Sequence, residues 1–380
     1  MSTHGLENEN LKNENAPRDD GPHDPLFGNE VESALRSIPA GARELQVITH
    51  LRGHLEVELA RRAALLHELR VRAERQGDGD RLPYLTRKGL EQASARPVAE
   101  ARAARWAARL GAGAEVWDAT CGVGADTLAL SRAGLWVVAS DLDPATLDCA
   151  RANLRRAGQG VRFLLADAAR PPVVARAVLL DPDRRPQGER TADPRCWSPS
   201  LRETLATARS YAGACIKLPP ALDPRDLALG ETAHGLQWVS LGGELRELTL
   251  WLGELVAPGQ PVREALVLDR QGGEASLAGE PRSVAELDPE AARRVRWLAE
   301  PDPAVIRSGL LGNLARRVGM APLAPRLAYL GGDRRPASDL LRSWPVLGTS
   351  PLDRKRVRAL LREHGVGPLT VKKRGHPDTS

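Results

Sequence analysis

The sequence predicts an α/β protein built on a doubly wound, mostly parallel sheet, with a helical region before it and a small basic α+β domain after it. Three observations carry this. From residue 112 onward short apolar runs alternate with helical segments, in EVWDAT, LALSRAG, LWVVAS, ATLDCARANLRRAG, VRFLLAD and VVARAVLLDP. The strand candidates are apolar on both faces, as strands covered by helices on each side must be. The first strand runs into a glycine loop and then a helix, in VWDATCGVGADTLAL (116–130), the arrangement that lets backbone approach a ligand beyond the carboxyl ends of a parallel sheet.

The elements follow in order. Residues 1–28 are polar, hold Asn, Glu, Asp and Pro in abundance and lack apolar periodicity, so they are expected to be a disordered tail. Residues 29–95 form a helical region. Leu51, Leu55, Leu59, Leu65, Leu66 and Leu69 recur at helical spacing and predict two or three amphipathic helices. His50 and His54 stand at i, i+4, the spacing of a metal pair, but no third ligand is near and a surface helix is the expected reading. GDGDRLP (77–83) breaks the helices, and helical periodicity resumes through 111 with Pro97 suited to a first turn. The domain at 96–270 carries the alternating pattern, with later strand candidates at 214–218, 236–241, 247–252 and 264–269. QGGEASLAGEPRS (271–283) reads as a boundary, and 284–376 as the terminal domain.

Composition narrows the function. The 380-residue chain is 42% hydrophobic and 27% charged, enough for a sizeable core. No apolar run approaches a membrane span and the N-terminus lacks signal-peptide character, so a cytoplasmic location is expected, without a membrane partner. The four cysteines have no metal-ligand spacing and read as reduced, mostly buried thiols, with no metal site. The formal charge is +5, but it is unevenly placed: residues 1–30 hold seven acids and two bases, whereas 307–374 hold twelve Arg and three Lys against four acids. Such a basic segment attracts polyanions, which makes RNA the expected partner; an arginine-rich surface is the plainer alternative. Nothing in the sequence assigns an oligomeric state.

An acid closes each of four consecutive strands: Asp118, Asp141, Asp167 and Asp181. In register they are expected to present four carboxylates along one rim. An acid at the second strand end suits a ribose diol, one at the third an adenine amino group, and one near the glycine loop an ammonium. S-adenosylmethionine has all three groups. Helix capping explains any one of these acids but explains the set poorly.

On these residues the chain resembles the class I S-adenosylmethionine-dependent methyltransferases over roughly 95–270. TRKGLEQASARPVAEARAARW, DATCGVGADTLAL, LLDPDRR, KLPPALD and LQWVSLGGELRELTLWLG narrow the resemblance to a bacterial family with a C-terminal THUMP-like domain. WLAEPDPAVIRSGLLGNLARRVG and GVGPLTVKKRG are similar to that terminal domain. The resemblance implies a class I fold, S-adenosyl-L-methionine as cofactor and, by analogy with RNA-binding THUMP domains, an RNA substrate (tRNA or rRNA) methylated on a base nitrogen. It implies cofactor contacts from Asp118, Cys121, Gly122, Gly124, Asp126, Asp141, Leu142, Asp143, Asp167 and Ala168. Two departures stand out: Asp183 occupies a place where the family usually has a small residue, and the chain stops soon after KKRG, so a shortened terminal domain is expected.

Methyl transfer from a sulfonium needs an aligned nucleophile and a proton acceptor rather than a covalent intermediate. Asp181 and Pro182 occupy the catalytic place at the end of the fourth strand, without the aromatic ring that amine-methylating relatives carry there. Arg184 and Arg185 either bind a phosphate beside the target or pair locally with Asp183. Lys217 is a candidate for substrate anions, a solvated lysine being the alternative, and Trp197 for base stacking, a core tryptophan being the alternative. No cysteine lies beside the motif, which disfavours carbon-5 chemistry. Thr86, Glu91 and Gln92 lie in the helical approach and are further candidates for the cofactor, with a capped surface helix as the alternative. Two other readings stay open: a methyltransferase for a small molecule or protein, and a non-catalytic cofactor-binding RNA-binding module.

Overall fold

The computed structural model describes residues 24–76, 81–185, 189, 191–227, 229–230, 232–260, 262–325, 327–351 and 353–370, in two compact units that divide between Ile216 and Lys217. The first unit opens with α1 (Asn29–Arg36), α2 (Glu44–Arg52) and α3 (Val57–Gln76), followed by the short α4 (Arg87–Gln92) and α5 (Arg96–Leu110). Then β1 (Glu115–Asp118), α6 (Ala125–Arg132), β2 (Trp136–Asp141), α7 (Pro144–Arg156), β3 (Arg162–Leu165), β4 (Ala177–Leu180), α8 (Leu201–Arg209) and β5 (Gly213–Leu218) alternate. The strand order is β3-β2-β1-β4-β5, all parallel. The chain therefore winds outward from β1 in one direction and then returns to wind in the other. That reversal opens a crevice beyond the carboxyl ends of β1 and β4, where ligands bind in open α/β sheets.

The helical region is part of the same core rather than an appendage. Val31, Leu51, Leu66 and Leu69 share a buried cluster with Val123 of the glycine loop, Leu128 of α6 and Leu154 of α7. Residues 24–28, which the sequence assigned to a disordered tail, are structured. Asp24 accepts a hydrogen bond from the Leu26 N–H at 2.9 Å and pairs with Arg62 of α3, so a charged residue in a polar sequence is fixed by a partner remote in the chain. Residues 1–23, which hold the rest of that expectation, lie outside the described residues.

The second unit contains β6 (His234–Leu241), β7 (Glu244–Gly253), β8 (Arg263–Leu268) and β9 (Glu274–Gly279). Here β6 runs antiparallel to β7 and parallel to β8, and β8 pairs antiparallel with β9. The strand β9 lies within 271–283, the stretch read as a boundary. Its residues alternate between exposed and half-buried, and the backbone pairing of an edge position forms a strand that apolar content does not announce.

After β9 come α9 (Pro289–Arg294), β10 (Trp297–Pro301), α10 (Pro303–Arg307), α11 (Leu311–Val318), β11 (Ala321–Pro322), β12 (Leu330–Gly332), β13 (Leu341–Pro345) and α12 (Arg354–Glu363). A small antiparallel sheet, ordered β11-β12-β10-β13, packs Ala299 and Leu330 against Ala315 and Met320. On α12 the side chains of Arg354, Lys355, Arg356, Arg358 and Arg362 are all exposed, while Val357, Leu360 and Leu361 are half-buried. Among the described residues no helix is long and apolar enough to cross a membrane, and no group of His, Cys, Asp and Glu could hold a metal ion. His50 and His54 stack at 4.9 Å between ring centroids, and His50 shares a 2.8 Å hydrogen bond with the Ser37 hydroxyl.

Candidate functional site

The crevice is built around the loop from Ala119 to Gly124. Gly122 at φ +54 and Gly124 at φ +92 take left-handed conformations that side chains resist. A β-carbon on Gly124 would also stand 2.7 Å from Leu154 Cδ2, whereas one on Gly122 would meet nothing within 4 Å. The first glycine thus keeps backbone facing open space, and the second lets α6 start close to α7. The loop is stitched to β2 by the Cys121 N–H on the Ser140 carbonyl (2.8 Å) and by the Ser140 hydroxyl on the Ala119 carbonyl (3.1 Å).

Asp141 ends β2 and braces this loop. One carboxylate oxygen accepts the Gly122 N–H and the other the Asp143 N–H, each at 3.0 Å. Burial pushes its carboxyl above the ordinary value, against those two backbone hydrogen bonds and the nearby Lys88 ammonium, which pull it down. Leu142, next in the chain, is 56% exposed, an apolar surface beside a polar rim. Asp167 follows β3, half-buried, with one oxygen on the Ala169 N–H. A left-handed glycine facing open space, an acid with its neighbouring leucine exposed, and a further acid on the next strand match a nucleoside with a ribose diol. The site fits S-adenosylmethionine on these grounds.

Several expected residues are placed otherwise. The rim presents three acids rather than four, because Asp118 is only 1% exposed and accepts the Thr127 hydroxyl at 2.6 Å beneath the loop. Asp126 is taken up by the Arg102 guanidinium and by the Ser94 hydroxyl at 2.7 Å, a buried pair joining α5 to α6. Asp143 caps α7 through the N–H groups of Ala145 and Thr146, as an acid before proline at a helix start does. The Cys121 thiol is buried, and burial with the adjacent Asp118 and Asp141 charges pushes it well up, which disfavours the nucleophilic thiolate. Ala168 is also buried, its carbonyl accepting the Thr207 hydroxyl at 2.9 Å. Cys149 and Cys215 are buried free thiols and Cys196 an exposed one.

The end of β4 lies beside the loop. The Asp181 N–H donates to Thr120 Oγ1 at 2.7 Å, which fixes a half-buried acid and the buried Pro182 directly next to the glycine turn. From there the chain is bolted to α4. Asp183 accepts Gln92 Nε2 at 2.9 Å and holds Lys88 Nζ at 2.8 Å, and Arg185 pairs with Glu91 at 2.7 Å. Partial burial raises the Asp183 carboxyl, but the Lys88, Arg185 backbone and Gln92 contacts outweigh it and hold the group below its ordinary value. Of the two roles read for the arginines, neither is displayed as read for Arg185: its guanidinium pairs with Glu91, 94 positions away, and only its backbone N–H reaches Asp183, while the half-buried Arg184 accepts the Thr191 N–H on its carbonyl. Trp197 is 4% exposed with its indole on the Thr191 carbonyl at 3.3 Å, which is the core alternative. Lys217 is 9% exposed in β5, so it is not the solvated lysine of the plainer reading.

Three residues that sequence reasoning passed over, Gly89, Asn153 and Lys88, complete the site beside Thr86, whose capping alternative the structure displays. Thr86 caps α4 by accepting the Gly89 N–H at 2.9 Å, and Gly89 itself has no room: a β-carbon there would stand 2.3 Å from Val123 Cγ1. This seats α4 on the glycine loop. Asn153 of α7, 1% exposed, accepts the Tyr84 N–H at 2.9 Å and donates to the Tyr84 carbonyl at 2.8 Å and the Val123 carbonyl at 2.9 Å. The third is Lys88. A polar residue on the otherwise apolar face of Cys149, Ala150 and Leu154 was the legible sign for Asn153; no local sign marks Lys88.

Comparison with known proteins agrees with this geometry. Residues 116–179 match a family described as methyltransferase domain, and residues 341–379 one described as THUMP domain-like. An uncharacterized S-adenosylmethionine-dependent methyltransferase of Mycobacterium tuberculosis, known from strains CDC 1551 / Oshkosh and ATCC 25618 / H37Rv, is 33% identical over 291 residues, 76% of each chain. A crystal structure of a candidate methyltransferase from Porphyromonas gingivalis W83 superposes with a TM-score of 0.68 at 18% identity, covering 88% of this chain and 86% of that one. The second likeness is one of fold.

Proposed function

The chain belongs to the S-adenosylmethionine-dependent methyltransferases, and from that membership we propose that it methylates a base nitrogen of tRNA or rRNA in the cytoplasm. S-adenosylmethionine, when bound, supplies an electrophilic methyl group on a sulfonium. The residues proposed to hold it are Gly122 and Gly124 by close backbone approach, Asp141 for the ribose diol, Leu142 for the base face and Asp167 for the adenine amino group. The observation that carries the reading is Asp181 at the end of β4, its backbone tied to Thr120 of the glycine loop. A carboxylate there can orient an amine hydrogen and accept the proton that the nitrogen loses.

RNA is favoured by the THUMP domain-like match and by α12, whose five basic side chains are exposed. The alternative of a small molecule or protein substrate draws on the burial of Trp197, which leaves the motif without the stacking ring that a base would use. Incubation with total small RNA and methyl-labelled cofactor separates them. Label is expected in RNA as an N-methylated base, and Asp181→Ala is expected to lower kcat by about 100-fold with S-adenosylhomocysteine affinity within about twofold of the parent. Label in the protein or small-molecule fraction alone would replace the RNA reading, and an undiminished Asp181→Ala rate would remove Asp181 from its role.

The basic helix gives a separate test. RNA affinity is expected to fall steeply with salt, and Ala in place of Arg354, Lys355, Arg358 and Arg362 should flatten the log–log slope by about one for each phosphate that the helix no longer neutralises. An unchanged slope would exclude α12 from the RNA surface.

A further inference from the structure

The rim at the carboxyl ends of β1 to β4 is dominated by acids, which suits the cationic and hydroxyl groups of the cofactor and repels its remaining charged group. The methionyl end of S-adenosylmethionine carries a carboxylate, and an anion entering beside Asp141 and Asp181 needs a positive partner. α4 delivers one. Its seat is fixed by Gly89 against Val123 of the glycine loop, where no β-carbon fits. Residue 88 is therefore held next to the loop at which the methionyl end of a class I cofactor would lie.

The other basic groups near this helix are directed elsewhere. Arg87 pairs with Glu68 of α3 at 3.5 Å and Arg185 with Glu91 at 2.7 Å. Lys88 differs. Its ammonium is 2.8 Å from Asp183 Oδ2, while its side chain keeps 56% exposure. An ammonium has three donors and this contact occupies one. Asp183 in turn accepts Gln92 Nε2 and the Arg185 N–H, each at 2.9 Å, so the carboxylate that orients Lys88 is itself held by two further contacts. The Lys88 charge also reaches Asp141, whose carboxyl it pulls downward. Lys88 thus stands between the loop acid and the β4 motif, its charge acting on both.

The geometry points to Lys88 as the residue that binds the cofactor's carboxylate, with Asp183 as its positioning residue. The inference rests on the glycine loop being the cofactor site. It makes the affinity of the site depend on an α4 residue through one ligand group only.

The test is calorimetric titration of the full chain with S-adenosylhomocysteine and with its decarboxylated analogue, which keeps the amine, thioether and nucleoside. For Lys88→Ala, S-adenosylhomocysteine is expected to bind about tenfold more weakly while the analogue stays within about twofold, and Lys88→Arg is expected to recover most of the difference. Undiminished binding of the analogue shows that the variant site is folded. Equal weakening of both ligands would mean that Lys88 only seats α4, and no weakening of either would mean that it faces solvent; each result overturns the inference while the cofactor site stands. If the parent binds neither ligand, the cofactor site falls and the inference with it.

Discussion

Asp141→Ala is expected to abolish useful cofactor affinity, with S-adenosylhomocysteine binding weakened by about 100-fold or more, ~3 kcal/mol. Two losses combine. The carboxylate that would accept the ribose hydroxyls disappears, and so does the brace that holds the Gly122 N–H and the Asp143 N–H in place. The pH dependence provides a finer test. Burial sets the Asp141 carboxyl above the ordinary aspartate value, and a diol donates most strongly to the ionised form, whose two oxygens both accept. Affinity should therefore be full above that raised pKa and fall as pH drops through it, beginning at a higher pH than an ordinary aspartate of about 3.9 would impose. In Asp141→Asn the weakened affinity should lose this pH dependence. Titration calorimetry from pH 7 downward measures both, and an Asp141→Ala protein that binds within threefold of the parent would exclude the assignment.

Asn153→Leu is expected to destabilise the first unit strongly. It replaces an amide of similar size that satisfies one N–H and two carbonyls, and it leaves the Tyr84 and Val123 backbone groups buried without those partners. Each orphaned group costs ~1–3 kcal/mol, and because they share one site the total should be ~3 kcal/mol rather than the sum. That corresponds to a fall in Tm of about 6–10 °C. Cofactor affinity should decline with it, since Val123 lies between the two loop glycines. A melting temperature within 2 °C of the parent would show that the backbone finds other partners.

What the sequence made legible was the part governed by periodicity and by glycine. The alternation of apolar runs placed β1 to β4, and Gly122 and Gly124 marked a turn that other residues resist. Strand-end acids located Asp141 and Asp181 correctly beside that turn. What could not be read is which way each acid faces. Asp118 looks like a rim residue in one dimension and Asp126 like a cofactor contact by resemblance, yet their partners, Thr127 and Arg102, turn them inward. Asp143, expected as a cofactor contact, caps α7 instead, a role that its place before proline suits. Glu91 and Gln92 were read as cofactor candidates, but their strap to Asp183 and Arg185, like Lys88 itself, was invisible for a different reason. Its contacts join residues 91 and 94 positions apart in the hydrogen bonds from Gln92 and Arg185, a range at which no sequence pattern operates.

That strap also sets a timetable. During synthesis the N-terminal helices emerge first, but α4 can seat its polar face only once Asp183 and Arg185 have left the ribosome, with roughly ninety residues between them. At about 5–20 residues per second this is a delay of ~5–20 s in which the helical region exists without the sheet it will cover. Contacts of such separation are the slow ones in folding. A nascent chain arrested shortly before residue 181 should therefore remain protease-sensitive at α4 and gain protection when the arrest point is moved far enough downstream for residue 185 to clear the exit tunnel.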